Sequence, residues 1–261
     1  MPRCAPCAPV SCARLVILSL VLVPCRSSAA EWAVERRETL PAPAGVTLTR
    51  IELSAADAKA ELHAATFLSR THSFALMDDP ENAYDLASAA RARGAVVAVN
   101  GGYFHPDRTA LGLRVRKGKE IHPLERAPLL SGILTVTANR MALLRVGEFR
   151  RASDLQEAVQ CGPFLVDAGR PVAGLNATRP AKRTVIVEAA GKRFGLIVTS
   201  EVTLAQTGVI LSTPEAIGGM RITRALNLDG GSSTGMYVAS NPPLYLREIR
   251  NVRDFVAIVP R

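Results

Sequence analysis

Aromatic side chains supply only 5% of the 261 residues, and there is one Trp. The 32 Lys and Arg residues are scattered rather than interleaved with Tyr and Phe. The stacking platforms of a nucleic-acid binder are therefore missing, and no nucleic-acid partner is expected. Long hydrophobic runs are missing too. The longest, Leu15–Val23, covers nine residues, against the roughly 20 that crossing a bilayer requires, so no stable membrane span is expected. The four histidines, His63, His72, His105 and His122, show no His-x-x-x-His or His-Glu pairing, which disfavours a zinc hydrolase. There is also no Gly-x-Ser-x-Gly elbow, Walker-type loop or dinucleotide fingerprint. Neither a metal nor a cofactor is expected.

Cysteine is scarce once the chain is divided. Four of the five, Cys4, Cys7, Cys12 and Cys25, fall within the first 30 residues. There Arg3 and Arg14 precede the apolar run, and Ser28 and Ala30 are the small residues of a cleavage site after Ala30. Residues 1–30 thus read as a secretory signal peptide, and the expected location is secreted or periplasmic. A lipid anchor on Cys25 fits less well, because Pro24 stands where a small residue is usual. Without the leader the length falls from 261 to 231 residues, and loss of Arg3, Arg14 and Arg26 takes the net charge from +9 to +6. Only Cys161 remains, so no internal disulfide is available. The fold must rest on a hydrophobic core, which a chain of this length can bury.

What is present is strand-rich. Residues 31–45 are charged and Pro-rich, and read as a flexible lead-in. From Val46 a period-two pattern begins, with further strand candidates at 62–67, 73–77, 111–115, 132–137, 141–146, 164–166, 184–188 and 194–200. The Ala-rich stretch 55–65 suits a helix as well as a strand. Asp79-Pro80-Glu81 suggests a helix start with Asp79 as N-cap, running to Arg93 and ending at Gly94. Ser212-Thr213-Pro214-Glu215 has capping-box form and suggests a second short helix. No repeat or linker interrupts residues 46–261. One α+β domain, strand-rich with a mixed sheet and a few helices, is the economical reading.

Two strands end alike. Ala95–Val99 is a continuous apolar run, which implies burial on both faces, and it leads into Asn100-Gly101-Gly102-Tyr103-Phe104. Residues 224–228 lead into Asn227-Leu228-Asp229-Gly230-Gly231-Ser232-Ser233. Paired glycines after a buried strand let backbone approach a ligand closely and leave N–H groups free for anionic oxygens. Asp-Gly-Gly-Ser is also a common tight turn, and Asn100 would be at home in one. A third feature is the basic loop edge Arg179-Pro180-Ala181-Lys182-Arg183. Such clusters are usually solvated, but a guanidinium facing the elbows would match two phosphate oxygens at once.

Taken in order, Asn100–Phe104, Gln160-Cys161-Gly162-Pro163 with Leu165-Val166 and Gly169, Arg183-Thr184, and Asn227–Ser233 resemble the signature of the phosphodiester glycosidase family. The match runs from about Val46 to the C-terminus and includes Arg250-Asn251. Cys161 stands where the family more often has a small residue, and Ser232 where a third glycine is frequent. The resemblance implies hydrolysis of the sugar C1–phosphate bond in a glycosyl-1-phosphodiester, with an N-acetylglucosamine-like sugar suspected. The partner would be a sugar phosphodiester or phosphate-containing glycan. The alternative is a non-catalytic envelope or exopolysaccharide-associated protein that binds such glycans.

The residues suit that chemistry. A phosphate monoester leaves without much help from a general acid, unlike the alcohol of an ordinary glycoside. The reaction needs negative charge stabilised on phosphate and positive charge stabilised on the sugar. Arg183 with the Gly230 and Gly231 amides and the Ser232 or Ser233 hydroxyl would meet the first need. Asp229 would meet the second, and Asn100 would orient a sugar hydroxyl or the attacking water. The expected catalytic residues are Asp229, Arg183 and Asn100. Expected substrate contacts are Gly101, Gly102, Asn227, Gly230, Gly231, Ser232, Ser233 and Thr184. No second carboxylate stands out, with Glu188, Asp107 and Glu201 only loose candidates.

Overall fold

A computed structural model describes residues 1–2, 31–56 and 58–261. Apart from its first two residues, the leader read from the sequence lies outside these residues. In chain order the elements are β1 (Ala33–Leu40), β2 (Val46–Ala55), β3 (Ala58–Leu68), β4 (His72–Asp78), α1 (Leu86–Ala92), β5 (Val97–Asn100), β6 (Arg114–Arg116), β7 (Lys119–His122), β8 (Gly132–Thr137) and β9 (Met141–Arg145). They continue with β10 (Leu155–Cys161), β11 (Phe164–Asp167), β12 (Arg170–Pro171), β13 (Ala181–Ala189), β14 (Arg193–Val202), α2 (Leu204–Ser212), β15 (Ile222–Asn227), β16 (Met236–Val238), β17 (Leu244–Leu246) and β18 (Asp254–Pro260).

The strands form three sheets: eight strands in the order β1-β2-β3-β14-β13-β15-β11-β12, five as β7-β6-β10-β8-β9, and five as β17-β16-β5-β18-β4. Neighbouring strands run antiparallel throughout the described residues, for example β13 with β15, β5 with β18 and β10 with β8. This corrects the expected mixed sheet. Crossover helices, which parallel strands require, are few: α1 and α2 are both short.

The main core lies where the three sheets meet. Phe67 and Leu196 of the large sheet, Val99 and Val256 of the β5 sheet, and Leu134 and Val159 of the β10 sheet share one cluster of buried side chains. The opposite face of the large sheet is covered by α2, through Ile210 and Leu211 against Val185, Val187 and Ala225. The β5 sheet is covered in turn by α1, through Leu86 and Ala90 against Ala98 and Ala257. All four residues of β5 are buried, as its unbroken apolar sequence requires.

Several local readings change. Residues 33–40 are not an unpaired lead-in but an edge strand registered on β2, from Ala33 opposite Ser54 to Leu40 opposite Leu48. Its charged residues occupy the solvated positions. The Ala-rich stretch resolves as β3, whose small side chains fit between β2 and β14. The first helix begins later than expected, with Asp85 rather than Asp79 as N-cap, its carboxylate accepting from the Ser88 amide at 2.7 Å. Asp79 instead caps a turn, accepting from the amides of Ala83 and Tyr84 at 3.0 and 3.1 Å. Ser212 ends α2 rather than opening a helix. The capping box is at its other end, where Thr203 and Gln206 satisfy each other's backbone amides.

Candidate active site

The two glycine elbows meet although they belong to different sheets. The Asn100 Nδ2 donates to the Asp229 carbonyl at 2.8 Å, and the Asp229 amide donates to the Gly101 carbonyl at 3.2 Å. Thr184 of β13 joins them: its hydroxyl donates to Asn100 Oδ1 at 2.6 Å, while its carbonyl accepts from Leu228 N at 2.8 Å. Asn100 and Thr184 are fully buried, so this network is shielded from water. Their side chains hold the elbows together rather than presenting polar atoms to a ligand.

The first elbow is seated on a buried ion pair. Asp254 opens β18, and its Oδ2 accepts from Arg114 Nε at 2.7 Å, with both side chains inaccessible to solvent. The other oxygen, Oδ1, accepts from Gly102 N at 2.9 Å, and the Asp254 carbonyl accepts from Gly101 N at 2.8 Å. A Cβ on Gly101 would lie 1.7 Å from Asp254 Oδ1, which is why glycine is required there. The amides of Gly101 and Gly102 are thus consumed by Asp254, against the expectation that they contact substrate. Arg114 spends its remaining donors on carbonyls, including Tyr103 at 3.1 Å and Gln160 at 2.9 Å. It thereby ties the first elbow to the Gln160–Pro163 segment.

Tyr103 crosses to that segment. Its hydroxyl donates to the Gly162 carbonyl at 2.7 Å and accepts from Asn227 Nδ2 at 3.1 Å. Burial, with the charge of Asp229 among the further causes, holds the phenol well above its ordinary range. Tyr103 is therefore a neutral hydrogen-bonding group. Asn227 donates also to the Gly162 carbonyl at 3.1 Å, while its Oδ1 is buried and has no partner. An unpartnered acceptor of this kind is costly unless something fills it. Cys161, next in line, is fully buried, and burial pushes its thiol up to about 12. It is a packed side chain and no nucleophile.

Asp229 is the carboxylate of the second elbow. Its Oδ1 accepts from Gly230 N at 2.9 Å. Burial raises its pKa above the ordinary carboxylate value, and the charge of Asp254 adds to this. The Ser233 hydroxyl, the Gly230 amide and the Arg250 guanidinium favour its ionised form. Gly231 has φ +62°, a conformation other residues seldom adopt, and it opens the tight turn through Ser233. Ser233 is buried and Ser232 exposed. The Ser232 carbonyl receives the amides of Ile249 and Arg250 at 2.9 Å each, which brings Arg250 to the elbow.

Arg183 is half-buried at the start of β13. Its Nε donates to the Val202 carbonyl at 3.0 Å and Nη2 to the Arg179 carbonyl at 2.7 Å. Among the described residues no carboxylate pairs with it. Burial lowers its pKa from the usual guanidinium range, and its charge is felt at Tyr103. A cation held by two carbonyls beside a buried phenol, without a counter-charge, is poised for an anion.

The structure therefore brings Asn100, Thr184, Asn227, Asp229, Gly230 and Ser233 into one assembly, with Arg183 coupled to it through Tyr103. Glu188, Asp107 and Glu201 lie elsewhere. Glu188 accepts from Leu143 N at 2.8 Å, Asp107 from Thr109 N at 2.9 Å, and Glu201 borders a separate groove beside Arg50 and Glu61. Sequence reasoning gave no role to Tyr103, Arg114, Arg250 or Asp254. Tyr103 was in plain sight beside the first elbow, whereas nothing in the sequence pairs Arg114 with Asp254. Among the described residues no three His, Cys, Asp or Glu side chains converge as metal ligands.

The antiparallel architecture that joins the two elbows has counterparts of known structure. The sequence model for phosphodiester glycosidases matches residues 93–259, more than half of the chain. The protein belongs to the phosphodiester glycosidase family. No curated protein matches its sequence at significance. Among solved structures it is similar to the catalytic domain of zebrafish N-acetylglucosamine-1-phosphodiester α-N-acetylglucosaminidase, auto-inhibited by its pro-peptide. There the TM-score is 0.60 at 16% identity, covering 91% of this chain and 85% of that one. It is also similar to a hypothetical protein from Synechocystis, with TM-score 0.57 and 15% identity over 83% of this chain. The protein spans 62% of the length of that Synechocystis chain. These likenesses show a shared fold.

Proposed function

We propose that the protein is an exported hydrolase that cleaves the bond between sugar C1 and phosphate in a glycosyl-1-phosphodiester. The observation that carries this reading is the juxtaposition at the second elbow. Asp229, a carboxylate with raised pKa, lies at the same end of the fold as the uncompensated Arg183, with buried Asn227 between their neighbours. Charge separates in this reaction, and the site supplies one group for each sign. Asp229 stands against the positive charge that builds on the sugar ring, while Arg183 takes the phosphate that departs. The leaving phosphate monoester is weakly basic, so a second carboxylate acting as acid is dispensable. That agrees with a site in which Asp254, the other acid whose charge reaches Asp229, is locked to Arg114.

The Asn227 Oδ1 needs a donor, and a sugar hydroxyl supplies one. Asn100, Thr184, Gly101 and Gly102 act behind this front as the frame that fixes Asp229. An N-acetylglucosamine-like sugar is the first candidate, in keeping with the family. The test is a panel of synthetic sugar-α-1-phosphodiesters that differ in sugar and in aglycone, incubated with the mature protein and assayed for free reducing sugar. Release from at least one supports the reading. Binding without release from any of them points to a glycan-binding envelope protein instead.

A further inference from the structure

Beside the Asp229 elbow lies a cleft of about 410 Å³ that the hydrolytic reading leaves unused. It is bordered by Glu61, His63, Lys182, Thr234, Tyr245 and Arg247. Two observations mark it as a binding site. Lys182 and Arg247 are exposed on its rim, and neither has a carboxylate within 4.0 Å among the described residues. Thr234 is 7% exposed, and its buried hydroxyl has no hydrogen-bond partner.

The one acid in the cleft is largely neutralised. Glu61 Oε2 accepts from Arg50 Nε at 2.9 Å, and its Oε1 lies 3.6 Å from His63 Nδ1. Burial lowers the pKa of His63, which favours the neutral imidazole. The cleft therefore carries a net positive charge, from an ammonium and a guanidinium, beside an aromatic wall and an unfilled hydroxyl. This is the recognition chemistry of a sugar bearing an anionic group.

The cleft is also joined to Asp229. Gly230 lies so close to the Lys182 carbonyl that a Cβ would stand 2.8 Å from it, and Thr234 N donates to the Gly231 carbonyl at 3.2 Å. The short elbow that carries Asp229 thus also borders this cleft. We propose that the cleft is a second subsite, which holds a phosphate-bearing sugar unit beyond the cleaved bond. The preferred substrate is then a polymer or oligomer of sugar phosphates rather than a single glycosyl phosphodiester. This rests on the proposed hydrolysis, but the cleft can be tested apart from it.

Two substrates separate the possibilities: a methyl sugar-1-phosphodiester, and the same compound with its methyl group replaced by a second sugar carrying a phosphate monoester. The wild type is expected to favour the second by about tenfold in kcat/KM, the scale of one or two charged hydrogen bonds. Lys182→Gln combined with Arg247→Gln, both at exposed positions, is expected to bring that ratio near one. An unchanged ratio in the double variant, or no preference in the wild type, overturns the proposal. If neither compound releases sugar, the hydrolytic reading fails. The cleft is then judged by calorimetric binding of the phosphorylated disaccharide. Weaker binding by the double variant upholds the subsite, and equal binding overturns it.

Discussion

Asn100 and Asp229 stand 129 residues apart in sequence, and the side chain of one donates to the backbone carbonyl of the other at 2.8 Å. This bond fixes the position of the second elbow relative to the first. Replacing Asn100 with Ala leaves the Thr184 hydroxyl and the Asp229 carbonyl unsatisfied in a dry interior. A loss of about 2–4 kcal/mol in stability is expected, read from urea unfolding, together with a marked fall in turnover. Wild-type stability in Asn100→Ala would show that the bond does not matter.

The Arg183 guanidinium is held by two carbonyls and faces no acid. Arg183→Ala is expected to lower kcat by about 100-fold, the scale for losing one donor to a developing oxyanion. Unfolding should change less than turnover, because the Arg179 carbonyl is at an exposed position and only the carbonyl of buried Val202 loses a partner away from solvent. Arg183→Lys restores the charge but not the fork, so it should recover only part of the rate. Full recovery by Lys would show that a point charge suffices.

Burial raises the pKa of Asp229, and this has a defined consequence for activity. The proposed reaction uses the ionised carboxylate, so activity is expected to fall as pH drops through the raised value. The acid limb of kcat/KM should therefore lie above the roughly 3.9 of an unperturbed Asp. A pH profile flat down to that value would contradict the assignment.

Arg114 and Asp254 form a buried pair beneath the first elbow. Removing either partner alone, as in Arg114→Met or Asp254→Asn, is expected to destabilise by about 3–5 kcal/mol, because the partner is left as an unpaired buried charge or unmet donor. The double variant should lose less than the sum of the two. A double-mutant cycle in urea measures the coupling, and strict additivity would rule the pair out as a unit.

Glu157 offers a separate test in stability. Burial raises its carboxyl pKa to about 7. The folded state then holds a proton that the unfolded chain has released, so this residue favours folding at low pH and loses that contribution as pH rises through 7. Between about pH 4.5 and 7 the wild type should lose on the order of 2 kcal/mol relative to Glu157→Gln. Parallel stability curves for the two proteins would refute the shift.

Much of this site was legible in the sequence because its frame is made of contiguous signals. The apolar run before Asn100 and the one before Asp229 each mark a buried strand, and the paired glycines mark the tight turn at its end. The partners of those elbows were not legible. Arg114 and Asp254 are 140 residues apart and stand in different sheets, and only the packing of the β10 sheet against the β5 sheet brings them together in the interior. The glycine amides looked free for a ligand because Asp254, which occupies both of them, lies near the other end of the chain. Edge strand β1 was hidden for another reason. Glu35, Arg36, Arg37 and Glu38 follow one another in it and place charge on both of its faces, and charge without alternation resembles a tail.

Hydrolysis by this site requires that Asp229 act on the glycosyl-1-phosphodiester itself. The decisive comparison is between the wild type and Asp229→Asn, assayed for release of free sugar from an N-acetylglucosamine-α-1-phosphodiester, with unfolding midpoints measured in parallel. Release by the wild type, and its loss in a variant that unfolds at a similar midpoint, is the expected outcome. Equal release by both proteins, or none by the wild type, would overturn the assignment of Asp229.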